Sequence, residues 1–244
     1  MKPIRVRVGD FRLGDKEKAA INAVLDSGRL SEGRKVHEFE KKWARFVGTK
    51  YCIATSSGSG ALIAGLCALK HLKGWAKKVI TTPLTYIATS SAISVTGFEP
   101  VYVDVDPETF AITPENIRQL LEQAEDPNEY GVILPVHLMG FPARMDEINE
   151  IAEEYGLVVF EDSAQAHGTM YNGKKTGALS LLADFSFYIA HNIQAGEMGA
   201  ITTDDAGINR LVRKIKAQGR SCGQPSPFRP PEMFFEWNHD DRFC

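Results

Sequence analysis

The residues best suited to chemistry follow short hydrophobic runs that are typical of β-strands. The first set comes directly after "YCIAT" and opens a helical pattern: Ser57, Gly58, Ser59 and Gly60. The free backbone N–H groups and the dipole of a helix start attract phosphate, and small side chains let the ligand approach. Glycine and serine also begin helices that bind nothing, so the motif by itself is a weak signal.

Tyr86 and His137 occupy similar positions after later strands. Tyr86, in "PLTYIAT", lies close to a predicted helix start, where a flat ring can stack on a planar cofactor; a core or interface tyrosine is the alternative. For His137, after "GVILPV", a functional histidine and one capped by neighbouring backbone groups are equal alternatives.

The strand predicted at the start of "LVVFEDSAQAHG" ends in two acids. A hydrophobic strand delivers Glu161 and Asp162 at its end, with Gln165 and His167 just beyond. A carboxylate there needs a cation or good hydrogen bonds, because desolvating an unpaired charge is costly. A protonated heterocycle nitrogen would suit Asp162, and capping of the following turn is the alternative.

Together these features predict a site for pyridoxal phosphate. They supply a phosphate cup at a helix start, an aromatic ring to stack, and an acid that keeps the pyridine nitrogen protonated so that the ring acts as an electron sink. In open α/β sheets ligands bind beyond the carboxyl ends of the strands, which is where all three features fall.

The elements that must position these residues alternate along the chain. Two amphipathic helices are predicted first, from Lys16 to Ser27 and over "VHEFEKKWARFVG", the second closed by Gly48. Strand and helix patterns then alternate as far as the strand "FSFYIA". This order predicts one large α/β domain with a largely parallel sheet covered on both faces. We place it at residues 1–215, with an N-terminal helical segment at 1–48.

Residues 216–244 have a different composition. They are rich in Pro, Gly and aromatic residues and lack periodicity. We expect them to form a loop that leads toward another structural unit, and the chain to be a fragment of a longer protein.

Composition and charge narrow the class of protein. Lys and Arg number 28 against 31 Asp and Glu, without a basic block, so nucleic acid is not an expected partner. The N-terminus lacks a signal-peptide pattern and no apolar run reaches about 18 residues, so we expect a cytoplasmic protein without a membrane span. Four cysteines without a CxxC pair indicate free thiols rather than a zinc site; no metal ligands are predicted.

Six motifs in collinear order, over roughly residues 8–215, resemble the DegT-type family of pyridoxal-phosphate-dependent sugar aminotransferases. The motifs are "SGSGAL", "PLTYIATSSAI", "VYVDVDPETFAITPENI", "PVHLMGFPARMDEI", "FEDSAQAHG" and "FSFYIAHNIQAGEMGAITTDD". The resemblance implies a fold-type I, aspartate-aminotransferase-like large domain with a mostly parallel seven-stranded sheet between helices. It also implies a smaller C-terminal domain, most of which this chain lacks, and a homodimer.

The resemblance implies roles for individual residues. Gly58 and Ser59 match the phosphate-binding turn, and Ser186 matches the serine of the "FSF" strand that also touches phosphate. Tyr86 matches the aromatic residue that stacks on the cofactor.

Asp162 matches the partner of the pyridine nitrogen and Gln165 the neighbour of the ring hydroxyl. His191 departs from the pattern, because the aminotransferases carry there the lysine that forms a Schiff base with the cofactor. Imidazole has no primary amine, so the cofactor must be held without a covalent link. Lys174 and Lys175, in the preceding "NGKKTG" turn, offer no obvious substitute.

The same change resembles the branch of sugar-nucleotide 3-dehydratases that act on 4-keto-6-deoxyhexoses. There pyridoxamine phosphate condenses with the C4 ketone, a histidine serves as general base, and the C3 hydroxyl leaves as water. The resemblance therefore implies that His191 is catalytic in a lyase of deoxysugar or lipopolysaccharide biosynthesis. Its implied partners are a nucleotide-linked sugar and, in one subtype, glutamate as amino donor.

Three alternatives accompany this reading. A second dehydratase subtype carries an iron–sulfur cluster, which normally needs four cysteines; only Cys222 and Cys244 stand in the relevant loop, so a [2Fe–2S] cluster is not favoured. An aminotransferase with a replaced lysine and a non-catalytic, cofactor-binding regulator are the other two.

Overall fold

The computed structural model describes Gly9, residues 13–74 and residues 76–220. It begins with two helices, α1 (Asp15–Asp26) and α2 (Arg34–Val47). Gly48 ends α2 in a left-handed conformation, with φ of 100°, as its position in the sequence predicts. Of the predicted 216–244 loop, the structure describes residues 216–220. The rest, including Cys222 and Cys244, lies outside the described residues. No helix of the described part is long and apolar enough to cross a bilayer.

Strands and helices then alternate. The first half consists of β1 (Tyr51–Thr55), α3 (Gly58–Leu72), β2 (Lys78–Thr81), α4 (Ile87–Val95), β3 (Glu99–Tyr102), α5 (Pro114–Gln123) and β4 (Tyr130–Ile133). The second half consists of α6 (Met145–Glu154), β5 (Val158–Asp162), β6 (Met170–Tyr171), β7 (Lys174–Lys175), β8 (Leu182–Ser186), β9 (Gly199–Thr203) and α7 (Ala206–Lys216). The alternation confirms the α/β class predicted from the sequence.

Seven strands form one sheet in the order β1-β9-β8-β5-β4-β2-β3. β9 pairs antiparallel with both of its neighbours, and the other pairs are parallel. The predicted mostly parallel, seven-stranded sheet is therefore confirmed. β6 and β7 form a separate antiparallel hairpin.

Helices cover both faces of this sheet. On one face α3, α4 and α7 pack over a core that includes Ile53, Val132 and Phe160. On the other face α5 and α6 pack over a second core, and α2 packs through Trp43 onto Phe185 of β8 and Phe187 just beyond it. The sheet is thus apolar on both sides, as expected for parallel strands joined by crossover helices.

Two details differ from the sequence prediction. The strand predicted over "FSFYIA" covers Leu182–Ser186 instead, and the chain turns immediately afterwards. β9 and α7 were not predicted. Each strand of this sheet has at most five residues, so the aromatic run alone cannot fix where one begins or ends.

An ion pair with a buried carboxylate ties α2 to the sheet. Glu40 of α2 is 5% exposed, and its Oε2 accepts a hydrogen bond from Arg213 Nη2 of α7 at 3.0 Å. Its Oε1 accepts from Ala54 N of β1 at 2.9 Å. Arg213 Nη2 also donates to the carbonyl of Cys52 at 3.0 Å. Three elements therefore meet at one carboxylate.

Replacing this carboxylate is expected to destabilise the fold. Glu40→Ala leaves the guanidinium of Arg213 and the N–H of Ala54 without their acceptor and should lower the free energy of unfolding by about 2–3 kcal/mol. The matched control is Glu38→Ala on the same helix, whose exposed carboxylate pairs with surface lysines and should change little. Urea unfolding measures both variants, and equal midpoints for the two would contradict the assignment.

Candidate functional site

The start of α3 lies against the end of β8. A Cβ placed on Gly58 would come within 2.5 Å of the Cβ of Ser186 and 2.8 Å of its Oγ, so no side chain fits at position 58. A Cβ placed on Gly199 of β9 would meet the carbonyl oxygen of Ser57 at 2.2 Å. The first turn of α3 is therefore held against two adjacent strands, with the hydroxyl of Ser186 beside it.

This helix start offers two backbone donors. Ser57 caps α3, since its Oγ accepts from Gly60 N at 3.0 Å and its carbonyl accepts from Ala61 N at 3.0 Å. The N–H groups of Gly58 and Ser59 have no hydrogen-bond partner among the residues that the structure describes. At the positive end of the helix dipole, such N–H groups are the type of donor that an anion binds.

Asp162 ends β5 and is 5% exposed. Its Oδ2 accepts a hydrogen bond from Thr89 Oγ1 of α4 at 2.8 Å, and its Oδ1 accepts from Ala164 N at 3.2 Å. It therefore caps the following turn, the alternative raised by the sequence, and also binds α4. Burial raises the pKa of this carboxyl, against the effect of the Thr89 hydrogen bond. A cation placed beside it would favour the ionised form.

Tyr86 and Gln165 lie on the two segments that meet at Asp162. Tyr86 is the N-cap residue of α4 and is 70% exposed, one turn before Thr89, which contacts Asp162. Gln165 follows Asp162 in the chain, and its Oε1 accepts from Met139 N at 2.7 Å. The Tyr86 ring is thus accessible, whereas the Gln165 side chain is fixed on a neighbouring turn.

His191 lies in the tight turn that follows β8. The backbone N–H of His191 donates to the carbonyl of Tyr188 at 3.0 Å. The backbone N–H of Ala195 donates to the carbonyl of Phe187 at 2.9 Å, which closes the turn. Partial burial lowers the pKa of the His191 imidazole, while the charge of Asp162 acts to raise it. The imidazole therefore interacts electrostatically with the acid at the end of β5.

His167 supports this turn. Its ring centroid lies 6.0 Å from that of His191, and the ring stacks on Phe187 at 5.2 Å with an interplanar angle of 27°. Its Nδ1 accepts from Ile193 N at 3.3 Å. Burial lowers the pKa of His167 to about 4, so the ring is neutral near pH 7.

Glu161 and His137 serve the structure rather than the site. Glu161 is fully buried and accepts from Gly177 N at 2.7 Å, Leu179 N at 2.9 Å and Ser180 Oγ at 2.9 Å. Its Oε2 also lies 3.1 Å from Nε2 of His137, which is fully buried as well. Since Nδ1 of His137 accepts a backbone hydrogen bond, Nε2 carries the proton donated to Glu161. The structure thus decides between the two alternatives for His137.

The described residues therefore place two unpaired backbone donors, an exposed aromatic ring, a buried carboxyl and an imidazole along one edge of the sheet. Sequence reasoning did not single out Thr89, although a hydroxyl one turn after Tyr86 is a usable signal. It also did not single out Asp184, which is fully buried in β8. In the described part of the chain, no group of three or more His, Cys, Asp or Glu residues is placed to hold a metal ion.

Comparisons with known proteins agree with this architecture. Residues 12–229 match the sequence profile of the DegT/DnrJ/EryC1/StrS aminotransferase family. An aminotransferase from Psychrobacter cryohalolentis superposes with a TM-score of 0.81 at 33% identity, over 90% of this chain and 56% of that protein.

Two further solved structures are similar. GDP-4-keto-6-deoxymannose-3-dehydratase (ColD), as a histidine-to-asparagine mutant with bound GDP-perosamine, gives a TM-score of 0.81 at 30% identity, over 89% of this chain and 56% of that one. NtdA from Bacillus subtilis with bound cofactor PMP gives 0.74 at 34% identity, over 83% and 44%.

The chain thus spans about half the length of the solved structures that it resembles. Its sequence profile covers most of the 244 residues, and the order of strands and helices is shared with these structures. The chain belongs to the DegT/DnrJ/EryC1/StrS aminotransferase family.

Proposed function

We propose that this chain forms the cofactor-binding part of an enzyme that uses pyridoxal or pyridoxamine phosphate to remove the C3 hydroxyl of a nucleotide-linked 4-keto-6-deoxyhexose. The observation that carries the proposal is His191, an imidazole that interacts with Asp162 at the position where the aminotransferases of the family carry a lysine. Such a reaction belongs to the biosynthesis of deoxysugars, including those of lipopolysaccharide.

The lysines near this segment do not replace the missing amine. The sequence has no lysine between Lys175 and Lys214. Lys174 and Lys175 form β7, and the ammonium of Lys175 lies over the Phe46 ring, 5.0 Å from its centroid. The proposal therefore requires that the cofactor bind without a covalent link to the protein.

The geometry of the site fits such a cofactor. The N–H groups of Gly58 and Ser59 would hold the phosphate together with the hydroxyl of Ser186, because these N–H groups have no partner among the described residues and Ser186 lies directly against Gly58. The exposed ring of Tyr86 would stack on the pyridine ring.

At the other end of the ring, Asp162 and Gln165 would bind the polar groups of the cofactor. The buried carboxyl of Asp162 would hold the proton on the ring nitrogen, because the positive charge of that nitrogen offsets the cost of desolvating the carboxylate. Gln165 would lie beside the ring hydroxyl, because it follows Asp162 in the chain and its side chain is held by Met139 N.

His191 would act as the general base. When bound, pyridoxamine phosphate supplies an amine for the sugar ketone and a ring that accepts electrons. Because burial lowers the pKa of His191, the imidazole is neutral near pH 7 and ready to take a proton from the reacting carbon. The hydrogen bond from Ile193 N to His167 holds the turn that carries His191.

The similar proteins support this proposal and one competitor. A dehydratase studied as a histidine mutant and a protein with bound PMP are both among them. The aminotransferase from Psychrobacter cryohalolentis supports a sugar-nucleotide aminotransferase with a replaced lysine. The two functions differ in product, since the dehydratase releases a 3-deoxy sugar whereas the aminotransferase releases an amino sugar.

Restoring the amine tests the role of His191. His191→Lys should attach the cofactor covalently, seen as visible absorbance that persists through gel filtration, and should slow dehydration at least about 100-fold because the general base is lost. The exposed His71→Lys on α3 is the matched control and should leave both properties unchanged. An unchanged dehydration rate in His191→Lys would rule out this role.

Filling the proposed phosphate site should weaken cofactor binding. Gly58→Ala places a methyl group 2.5 Å from the Cβ of Ser186 and displaces the donors at the start of α3. Loss of one charge-assisted hydrogen bond should raise the Kd for pyridoxal phosphate about 10- to 100-fold. Gly74→Ala is the control, since its Cβ would meet nothing closer than 3.6 Å. Absorbance titration measures both, and equal affinity for the two variants would place the phosphate elsewhere.

A further inference from the structure

Asp184 is a buried acid that the proposed function does not use. It lies in the middle of β8 and is 0% exposed. Neither of its carboxylate oxygens has a hydrogen-bond partner within the described part of the chain. Buried polar groups in native proteins are almost always paired, and a buried unpaired charge is very costly, so this exception needs an explanation.

The surroundings of Asp184 are apolar on all sides but one. Its neighbour across the sheet on β9 is Ile201, and its neighbour on β5 is Asp162, in register with it. Above the sheet, Gly58 of α3 abuts Ser186 and Gly65 abuts Leu182, so the side of α3 that carries these two glycines covers Asp184. Between them on that side lie Ala61 and Leu62, neither of which can donate a side-chain hydrogen bond.

The titratable groups around Asp184 favour its neutral form. Burial first, and then the charge of Asp162, raise the pKa of Asp184 well above its usual range, and Glu161 on the opposite face of the sheet acts in the same direction. The imidazoles of His137 and His191 act on Asp162. In α3 the titratable residues are Cys67, Lys70 and His71, toward the end of the helix remote from Gly58.

The two acids differ in what stabilises a negative charge. Asp162 receives hydrogen bonds from Thr89 Oγ1 and Ala164 N, whereas Asp184 receives none from the described residues. Adjacent strands lie about 4.8 Å apart, so the two carboxyl groups, on the same face and in register, repel each other when both are ionised. A single charge on the pair therefore resides on Asp162.

We propose that Asp184 holds a proton in the native protein and that, by remaining neutral, it leaves Asp162 as the charged member of a coupled carboxyl pair. Asp184 is then a positioning residue, which acts through Asp162 on whatever cation that carboxylate binds. The inference goes beyond the proposed function, because it concerns two acids of the protein and holds without any cofactor.

The proton on Asp184 links folding to pH. An unfolded Asp titrates near a pKa of about 3.9, whereas the native Asp184 titrates higher. Between these two values the native state binds one more proton than the unfolded state, so stability falls as pH rises through this window. Above the native pKa of Asp184 the stability contributed by this proton is lost entirely.

The test compares the wild-type chain with Asp184→Asn, a neutral side chain of the same shape. The unfolding constant of the wild type, relative to the variant, should rise about tenfold per pH unit within the window. In the wild type the infrared C=O band of a protonated carboxyl should persist to a pH well above the ordinary Asp pKa of about 3.9, and it should be absent from Asp184→Asn. Asp26→Asn, an exposed substitution near the end of α1, should keep both the band and the pH dependence.

A second variant keeps the proposal testable if Asp184→Asn fails to fold. Asp162→Asn removes a charge that raises the pKa of Asp184. As the pH is raised, the protonated-carboxyl band of this variant should therefore still outlast that of an ordinary Asp, but it should disappear at a lower pH than in the wild type. The proposal would be overturned if the wild-type spectrum lacked such a band, or if the band were unchanged in Asp184→Asn. None of these outcomes depends on activity, so the proposed dehydration can fail while this inference stands.

Discussion

The site depends on the alternation of side chains at the end of β5. Glu161 and Asp162 are adjacent, so they point to opposite faces of the sheet. On one face Glu161 is buried with three hydrogen-bond donors from residues 177–180 and a fourth from His137. On the other face Asp162 receives two donors and borders the open edge. A shift of register by one residue would exchange a structural acid with the acid of the site.

The close contact of α3 with β8 is the second constraint. Gly58 and Gly65 lie two turns apart on the same side of the helix, against Ser186 and against Leu182 with Phe160. Both positions require the absence of a side chain, because any Cβ would come within 2.5 Å of its neighbour. The contact that packs the core thus also brings the free N–H groups at the start of α3 next to the hydroxyl of Ser186.

An aromatic cluster connects the N-terminal helices to the turn that carries His191. Trp43 of α2 contacts Phe185, Phe187 and His167 at centroid distances of 4.9 to 5.5 Å. His167 in turn holds the backbone of Ile193, two residues beyond His191. The position of the imidazole therefore depends on the packing of a helix about 150 residues earlier in the chain, which local sequence does not reveal.

The amino-acid sequence by itself determined the alternation of strands and helices, the parallel sheet and the residues at its edge, because these depend on local periodicity and on short motifs. It left His137 open between two roles, assigned no partner within the protein to Asp162 and extended β8 past Ser186. Only the tertiary structure showed that His137 pairs with Glu161 and Ala143, that Thr89 binds Asp162, and that Asp184 is buried without a partner among the described residues. Burial and hydrogen bonding are set by residues far apart in the chain, so the protonation of an acid is decided by the fold that surrounds it.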